Sequence, residues 1–413
     1  MGRWGDRESR TVDDAKRILV LMAEAGSGHR SAAEAIAAAL RERHGAQCLV
    51  EIVNPLDDAR TPGFLRDSQT AYDEIVQRMP ELYKLGYDLS DAPLPTAVIE
   101  SALTVALFDV MRDLVRSRRP DAIVTVYPDY LAPLGAVFTL AGQHVPLITV
   151  VTDLVTVHRM WFNDSSDLCL VATQDAYDLA VGSGLAADKV KITGIPVNPK
   201  LSSDARTPAA IRVALGWRPD LTTILAVGGT RVLHLVETLH TLDQAGLPLQ
   251  MVVVSGGDDG VYRQLCDTDW HTPTHVYDLT EDMPSLLRAA DGIICKAGGL
   301  IVSEALACGL PILLISVIEG QETGNAEYII AGGASELAGS PAEALEIMRR
   351  WLDNNGEMLA ERARHARRLG RPRAAYDVAE QVWAAAVRGP YPSPDGKNLP
   401  GLTSLLNLFH LPH

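Results

Sequence analysis

Between residues 295 and 325 the chain concentrates side chains suited to gripping a phosphorylated ligand. Lys296-Ala297-Gly298-Gly299 closes a short apolar run, Gly292 to Cys295, and an apolar helical pattern begins at once. Glycines at a strand-to-helix turn let backbone N–H groups approach an anion, and the helix dipole adds about half a positive charge there. Lys296 supplies a full cation beside them. Glu304 falls one to two turns into the helix, among Ala305, Leu306 and Ala307. A carboxylate buried there needs partners, and ribose hydroxyls would satisfy it. After a second apolar run, Pro311 to Ser316, come Gln321, Glu322 and Asn325, which suit sugar or phosphate oxygens or serve as caps. Gln321 and Asn325 are spaced one helical turn apart, so both amides can face one ligand. Diphosphate, ribose and hexose hydroxyls are thus met by one stretch, as a nucleotide-sugar site requires.

A second group lies near the start of the chain. Gly28 and His29 follow the apolar run Arg17 to Ala23. An imidazole there can take a proton from a hydroxyl near neutral pH, or bond a nearby backbone group as a helix-terminal residue. Asp153, after a run of apolar residues and Thr, is the other candidate base, the group that orients it, or a turn carboxylate. His158 and Trp161 either line an acceptor pocket or pack under a loop. Gly228 and Gly229 form the first turn of a second alternating series.

Those positions must be held by a scaffold, and its pattern is regular. Short apolar runs alternate with helical segments, which implies parallel sheets covered on both faces. One series runs to about residue 193 and another from Thr223 to Ser316, with Gly194-Ile195-Pro196-Val197-Asn198-Pro199 and a polar stretch between them. The expected division is residues 1–200, 201–358, a long crossing helix over 359–387 and a Pro/Gly-rich tail over 388–413. Helices are expected at Ser31 to Glu42, Ala71 to Leu89 and Val98 to Arg116. Two doubly wound domains set their strand C-terminal ends across a cleft, where ligands of open α/β sheets bind.

Composition narrows the function. The 413 residues, 47% hydrophobic and 22% charged, are those of a globular chain. A net charge of −15 argues against a nucleic-acid binder. Five scattered cysteines with no C-x-x-C pair indicate reduced, buried thiols rather than zinc or disulfides. The charged N-terminus lacks a signal core, and no uninterrupted apolar run reaches membrane-spanning length. Arg362, Arg364, Arg367, Arg368, Arg371 and Arg373 form either a basic face for anionic lipids or a solvated helix face.

Five ordered motifs carry a resemblance: residues 26–36 (Gly26-Ser27-Gly28-His29-Arg30-Ser31-Ala32-Ala33-Glu34-Ala35-Ile36); Tyr72 with Pro80-Glu81-Leu82-Tyr83; Thr152-Asp153-Leu154 with His158 and Trp161-Phe162; Gly194 to Pro199; and the 295–325 stretch. Together they resemble the monogalactosyldiacylglycerol synthases and the bacterial processive diacylglycerol glucosyltransferases. These share a family with the peptidoglycan N-acetylglucosaminyltransferase. The likeness runs from about Arg17 to Ala334.

It implies an α/β GT-B fold of two Rossmann-like domains, with the acceptor on the first, the donor on the second and a final helix crossing back. It implies inverting transfer of a hexose from a UDP-sugar to a membrane lipid, diacylglycerol foremost. His29 or Asp153 is then the base, and no cofactor or protein-bound catalytic metal is needed. The expected place is the cytoplasm, peripherally on the inner face of the cell membrane. N-acetylglucosamine transfer to a polyprenyl-linked lipid, a non-catalytic nucleotide-sugar binder and a UDP-N-acetylglucosamine epimerase are the alternatives. Four positions depart from the family pattern. Gly228-Gly229-Thr230-Arg231 has fewer glycines than usual, Ile301 replaces a hydroxyl residue, Glu319 replaces a Pro and Tyr127 replaces a His. They bear on sugar and acceptor identity, not on the fold.

Overall fold

The computed structural model describes residues 15–24, 27–66, 84–86, 89–229, 231–280 and 282–393. Gly26, Tyr72, Pro80 to Tyr83, most of the helix expected from Ala71 to Leu89, Thr230 and the apolar segment Leu402 to Leu411 lie outside them.

Two six-stranded parallel sheets form among the described residues. The first contains β1 (Lys16–Leu21), β2 (Cys48–Val53), β3 (Ala122–Thr125), β4 (Leu147–Val150), β5 (Leu168–Val171) and β6 (Val190–Ile192), in the order β2-β1-β3-β4-β5-β6. The second contains β7 (Thr222–Val227), β8 (Leu249–Val254), β9 (Thr274–Tyr277), β10 (Gly292–Lys296), β11 (Ile312–Ser316) and β12 (Ser335–Leu337), in the order β9-β8-β7-β10-β11-β12. β3, β4 and β8 are buried at every residue, including Thr125, Thr149 and Gln250, and their mostly apolar composition suits strands covered on both faces. Strand order reverses between β1 and β3 in one sheet and between β7 and β10 in the other. Open α/β sheets offer a crevice at such points. His29 follows β1, while Gly228-Gly229 and Lys296-Gly299 follow β7 and β10.

The helix α1 (Ser27–His44) carries Arg41, Arg43 and His44 in its last turn, where cations complement the dipole. The helix α2 (Pro93–Arg118) packs on α3 (Leu131–Ala141) through Leu103, Leu107 and Met111. By length and composition α2 is apolar enough to cross a membrane, with mean hydropathy 1.5. Its packing makes it a covering helix of the first domain, but Leu94, Val98 and Val105 remain 81%, 69% and 70% exposed.

Four of the five cysteines are buried or half-buried as expected, whereas Cys266 is exposed. The C-terminal crossing also differs from one helix spanning 359–387. α6 (Pro341–Leu369) holds a left-handed kink at Asn354, Asn355 and Gly356 and stays on the second domain to its end. The crossover comes at Gly370, after which α7 (Ala374–Arg388) lies against α1 in the first domain's core. Four of the six arginines serve these contacts, while Arg364 is exposed and Arg368 turns to His365 on its own helix. Arg362 pairs with Glu336 and covers Trp351, Arg367 lies over Gly309, Arg371 lies over Gly194 and Arg373 caps the Tyr376 ring.

Trp351 is fully buried beneath Arg362 and donates from Nε1 to Glu336 Oε1 at 2.7 Å. Trp351→Ala is expected to cost about 3–5 kcal/mol, as for other buried tryptophans. Urea unfolding should show the loss, and a change below about 1 kcal/mol would refute this account of the second core.

Candidate active site

The two domains meet along one surface. Leu154, Ala172, Ile195 and Val197 of the first join the second domain's Val302, Ala305, Leu306 and Ile329 in a single hydrophobic cluster. A Cβ on Gly299 would overlap the Thr152 carbonyl oxygen, and one on Gly324 would overlap the Thr156 hydroxyl. Gly324 N donates to that hydroxyl at 3.1 Å.

His29 sits in the first turn of α1, partly buried in this seam. Its ring bonds the Val126 carbonyl, and Nδ1 lies 3.3 Å from the Thr152 hydroxyl. The Tyr127 ring meets it edge-on at 5.2 Å, and the Trp161 ring lies 6.4 Å away. Burial first, then the charge of Arg231 from the other domain, lowers the imidazole to about 4 against the opposing Val126 bond. The ring is therefore neutral at physiological pH, the state a general base needs.

Asp153 is buried beside the second domain, and burial, reinforced by the Glu322 carboxylate, lifts it to about 7 while Lys296 and Asn325 oppose. Lys296 is paired with Glu322, whose other oxygen accepts from Ile318 N at 3.1 Å. The ladder register shifts between Cys295 and Lys296, which re-aims this lysine at the strand end.

Asn325 does something other than offer its amide to a ligand. Its Oδ1 accepts from Leu154 N at 2.9 Å and its Nδ2 donates to the Ala297 carbonyl at 3.1 Å, so it ties the domains together. Nor do Gln321 and Asn325 share a helical face, because α5 (Thr323–Ala331) starts after Gln321. Glu322, held by Lys296 and Ile318, anchors the turn.

The glycines divide by role. Gly298 caps α4 (Gly299–Cys308), and Lys296 Nζ would lie 2.9 Å from a Cβ there. Gly228 is forced by packing, since a Cβ would press Leu235 at 2.8 Å and the Ser255 carbonyl at 2.9 Å. Gly229, at φ +142°, has open space where a Cβ would stand, and its carbonyl accepts from Val232 N at 3.0 Å. Gly28 faces Leu300 across the seam, with nearest approach 3.8 Å.

Glu304, inside α4, is buried and lifted to about 7 by burial alone. No hydrogen bond or ion pair is recorded for it among the described residues.

His158 caps the turn Arg159–Trp161, with Nδ1 accepting from Met160 N at 3.2 Å and Nε2 lying 3.1 Å from Ser90 Oγ. With Nδ1 accepting, the proton is on Nε2. Trp161 is buried with Val151, Val157 and Cys169, so it walls the His29 site from within the core. Arg231 and Asp129 were not singled out from sequence. Arg231 lay in a turn read for its glycines, and Asp129 lay two residues past a position noted only as a departure. Among the described residues no His, Cys, Asp and Glu group is placed to hold a metal ion.

Two Rossmann-like domains meeting at their switch points define the GT-B class. Solved structures agree on the fold. MurG of Acinetobacter baumannii superposes with TM-score 0.57 at 18% identity, covering 89% of this chain and 99% of that one. The calicheamicin glycosyltransferase CalG4 gives 0.58 at 16%, covering 91% and 99%. A UDP-GlcNAc 2-epimerase of Neisseria meningitidis gives 0.56 at 14%, covering 89% and 100%.

Residues 29–197 match the monogalactosyldiacylglycerol (MGDG) synthase family, and residues 223–365 match the glycosyltransferase family 28 C-terminal domain. A probable chloroplastic MGDG synthase of Glycine max is 29% identical over 392 residues, covering 89% of this chain and 71% of that protein. MGDG synthase 3 of Arabidopsis thaliana is 28% identical over 387 residues, covering 91% and 83%. The chain thus carries an MGDG-synthase domain followed by a glycosyltransferase family 28 C-terminal domain.

Asn325→Ala strands a buried N–H and a buried carbonyl, each worth about 1–3 kcal/mol. The variant should melt earlier and scatter X-rays as a more open particle at small angles. An unchanged melting temperature and radius of gyration would remove Asn325 as the domain tie.

Proposed function

We propose that this chain transfers a hexose from a UDP-sugar to the hydroxyl of a membrane lipid, diacylglycerol being the simplest acceptor, with inversion at the anomeric carbon. The observation that carries this reading is the neutral imidazole of His29, set on the first domain opposite the N-terminal end of α4. The acceptor oxygen attacks the anomeric carbon, the bond from that carbon to the diphosphate breaks, UDP departs with the electron pair, and His29 takes the acceptor proton. Charge growing on the diphosphate is met by the turn at Gly229, the dipole of α4 and Lys296 released from Glu322. Ribose hydroxyls satisfy Glu304. The UDP-sugar is a co-substrate, and neither a resident cofactor nor a protein-bound metal is required. Hinging at residues 196–208 and at Gly370 opens the seam to the donor, and reclosure excludes water. The exposed Leu94, Val98 and Val105 of α2 would rest in the lipid interface, which supports a peripheral seat on the inner face of the cell membrane as part of this proposal.

Incubation with UDP-glucose, UDP-galactose or UDP-N-acetylglucosamine and diacylglycerol vesicles should yield glycolipid by mass spectrometry. His29→Ala should lower kcat by about 10²–10⁴ while UDP affinity by calorimetry holds. No glycolipid from any donor would end the reading, and donor conversion without acceptor would favour an epimerase.

The pH profile separates the two candidate bases. A group lowered to about 4 is deprotonated throughout the working range, so with His29 as base kcat/KM loses activity only as pH falls toward about 4. With Asp153 as base the acid limb would sit near 7 and disappear in Asp153→Asn. The expected limb is the lower one.

A further inference from the structure

Thr152 follows the end of β4, and its backbone and its side chain touch opposite halves of the proposed site. The chain is pinned on either side of it. Val151 N donates to the Leu170 carbonyl at 2.9 Å, and Leu154 N donates to Asn325 Oδ1 at 2.9 Å. The Thr152 carbonyl rests on Gly299 of the second domain, where a Cβ would overlap it. The residue is buried, and its hydroxyl lies 3.3 Å from His29 Nδ1.

The other neighbours of the imidazole leave little else to steer it. The Val126 carbonyl bonds the ring from the backbone, and the Tyr127 and Trp161 rings pack around it at 5.2 and 6.4 Å. Asp153, the next residue, is engaged elsewhere: it bonds Asn325 and lies beside Lys296 and Glu322 of the second domain. A base is ordinarily oriented by a third group, often a carboxylate, which also raises the affinity of an imidazole for its proton. That affinity is low in His29, as burial and the Arg231 charge make it. A hydroxyl is neutral, and it can accept from an N–H or donate to a lone pair, so it follows the ring through both proton states.

We propose that Thr152, not Asp153, is the positioning residue for His29, and that it aligns the imidazole when Gly299 bears on its carbonyl, so that seating of the second domain readies the base. This rests on the reading of His29 as the base of a lipid glycosyltransferase. Carbonyl and hydroxyl belong to one residue fixed on both sides, so a shift at Gly299 reaches the ring without an intermediary. At 3.3 Å the hydroxyl–imidazole bond is long, and catalytic hydrogen bonds of this kind tighten once substrates are in place.

Transfer is measured with the UDP-sugar and lipid vesicles from which the wild type makes glycolipid. Thr152→Val keeps the shape and removes the hydroxyl. It should lower kcat by about tenfold with UDP affinity unchanged, and Thr152→Ser should recover most of the loss. In a His29→Ala background the same Thr152→Val change should cost less than about twofold, because its effect runs through the ring. An equal loss in both backgrounds marks a purely structural role and overturns the proposal, as does a wild-type kcat in Thr152→Val. The imidazole nitrogen NMR resonances of His29 give a readout that needs no turnover. They should shift in Thr152→Val and return in Thr152→Ser, and unmoved resonances overturn the assignment. Gly299→Ala, whose Cβ must push the Thr152 carbonyl, should move them too; if they stay in place there, the coupling to the second domain is wrong. Should Thr152→Val not fold, Thr152→Ala is measured in its place. A wild type that glycosylates no lipid sinks the glycosyltransferase reading, and the His29 resonances then decide the role of Thr152 alone.

Discussion

Close approach of two backbones governs this molecule. The carbonyl of Thr152 rests on Gly299 where no side chain fits, and Asn325 stitches the same junction with one bond to each lobe. Because Thr152 also touches His29, the contact that seats the lobes fixes the imidazole with respect to the start of α4. The glycine usually read as bare backbone for a phosphate is thus also the point on which the lobes bear. Both demands exclude a Cβ. A ligand arriving at α4, as proposed for the donor, would have to displace or share this contact, which would couple its binding to the separation of the lobes.

Charge in the seam follows the same geometry. Asp153, Glu304 and Asp129 are each lifted to about 7 with burial as the leading cause, and none has a recorded ion pair. Lys296, the cation nearest Asp153, is already paired with Glu322. Groups in this condition stabilise the folded chain little, and they gain most from a ligand rich in hydroxyls. His29 is the converse case: burial removes its charge and leaves a lone pair for proton transfer. Beside the apolar cluster that joins the lobes, these buried polar groups are weakly charged and short of donors, which is in keeping with the proposed site for sugars and alcohols.

Much of this was legible in the residues. The apolar runs that became β1, β3, β4, β7, β8, β10 and β11 stood out because strands covered on both faces admit few polar residues. The turns after β1, β7 and β10 announced themselves by glycine, and the alternation of strand and helix implied the two sheets. Partnership was not legible. Asn325 in sequence is an amide near other amides, and only the fold brings it to Leu154, 171 residues earlier. The arginines after residue 361 left a basic face and a solvated face both open, because partners such as Glu336, Gly309 and Gly194 lie far away in sequence. The kink at Asn354 to Gly356 is signalled by two asparagines and a glycine, residues that tolerate left-handed backbone, but the shift of the crossover to Gly370 depends on packing.

The placement of α7 has a consequence during synthesis. Ala375, Val378, Ala379, Val382, Ala385 and Ala386 complete the hydrophobic layer over α1, although they are translated after the entire second lobe. A first lobe therefore emerges from the ribosome with an apolar flank that stays uncovered until residues 374–388 have been made. That interval exposes surface prone to aggregation and invites chaperones. It also makes α7 a checkpoint, since a nascent chain that stalls before it leaves the first lobe open beneath a second lobe already able to fold.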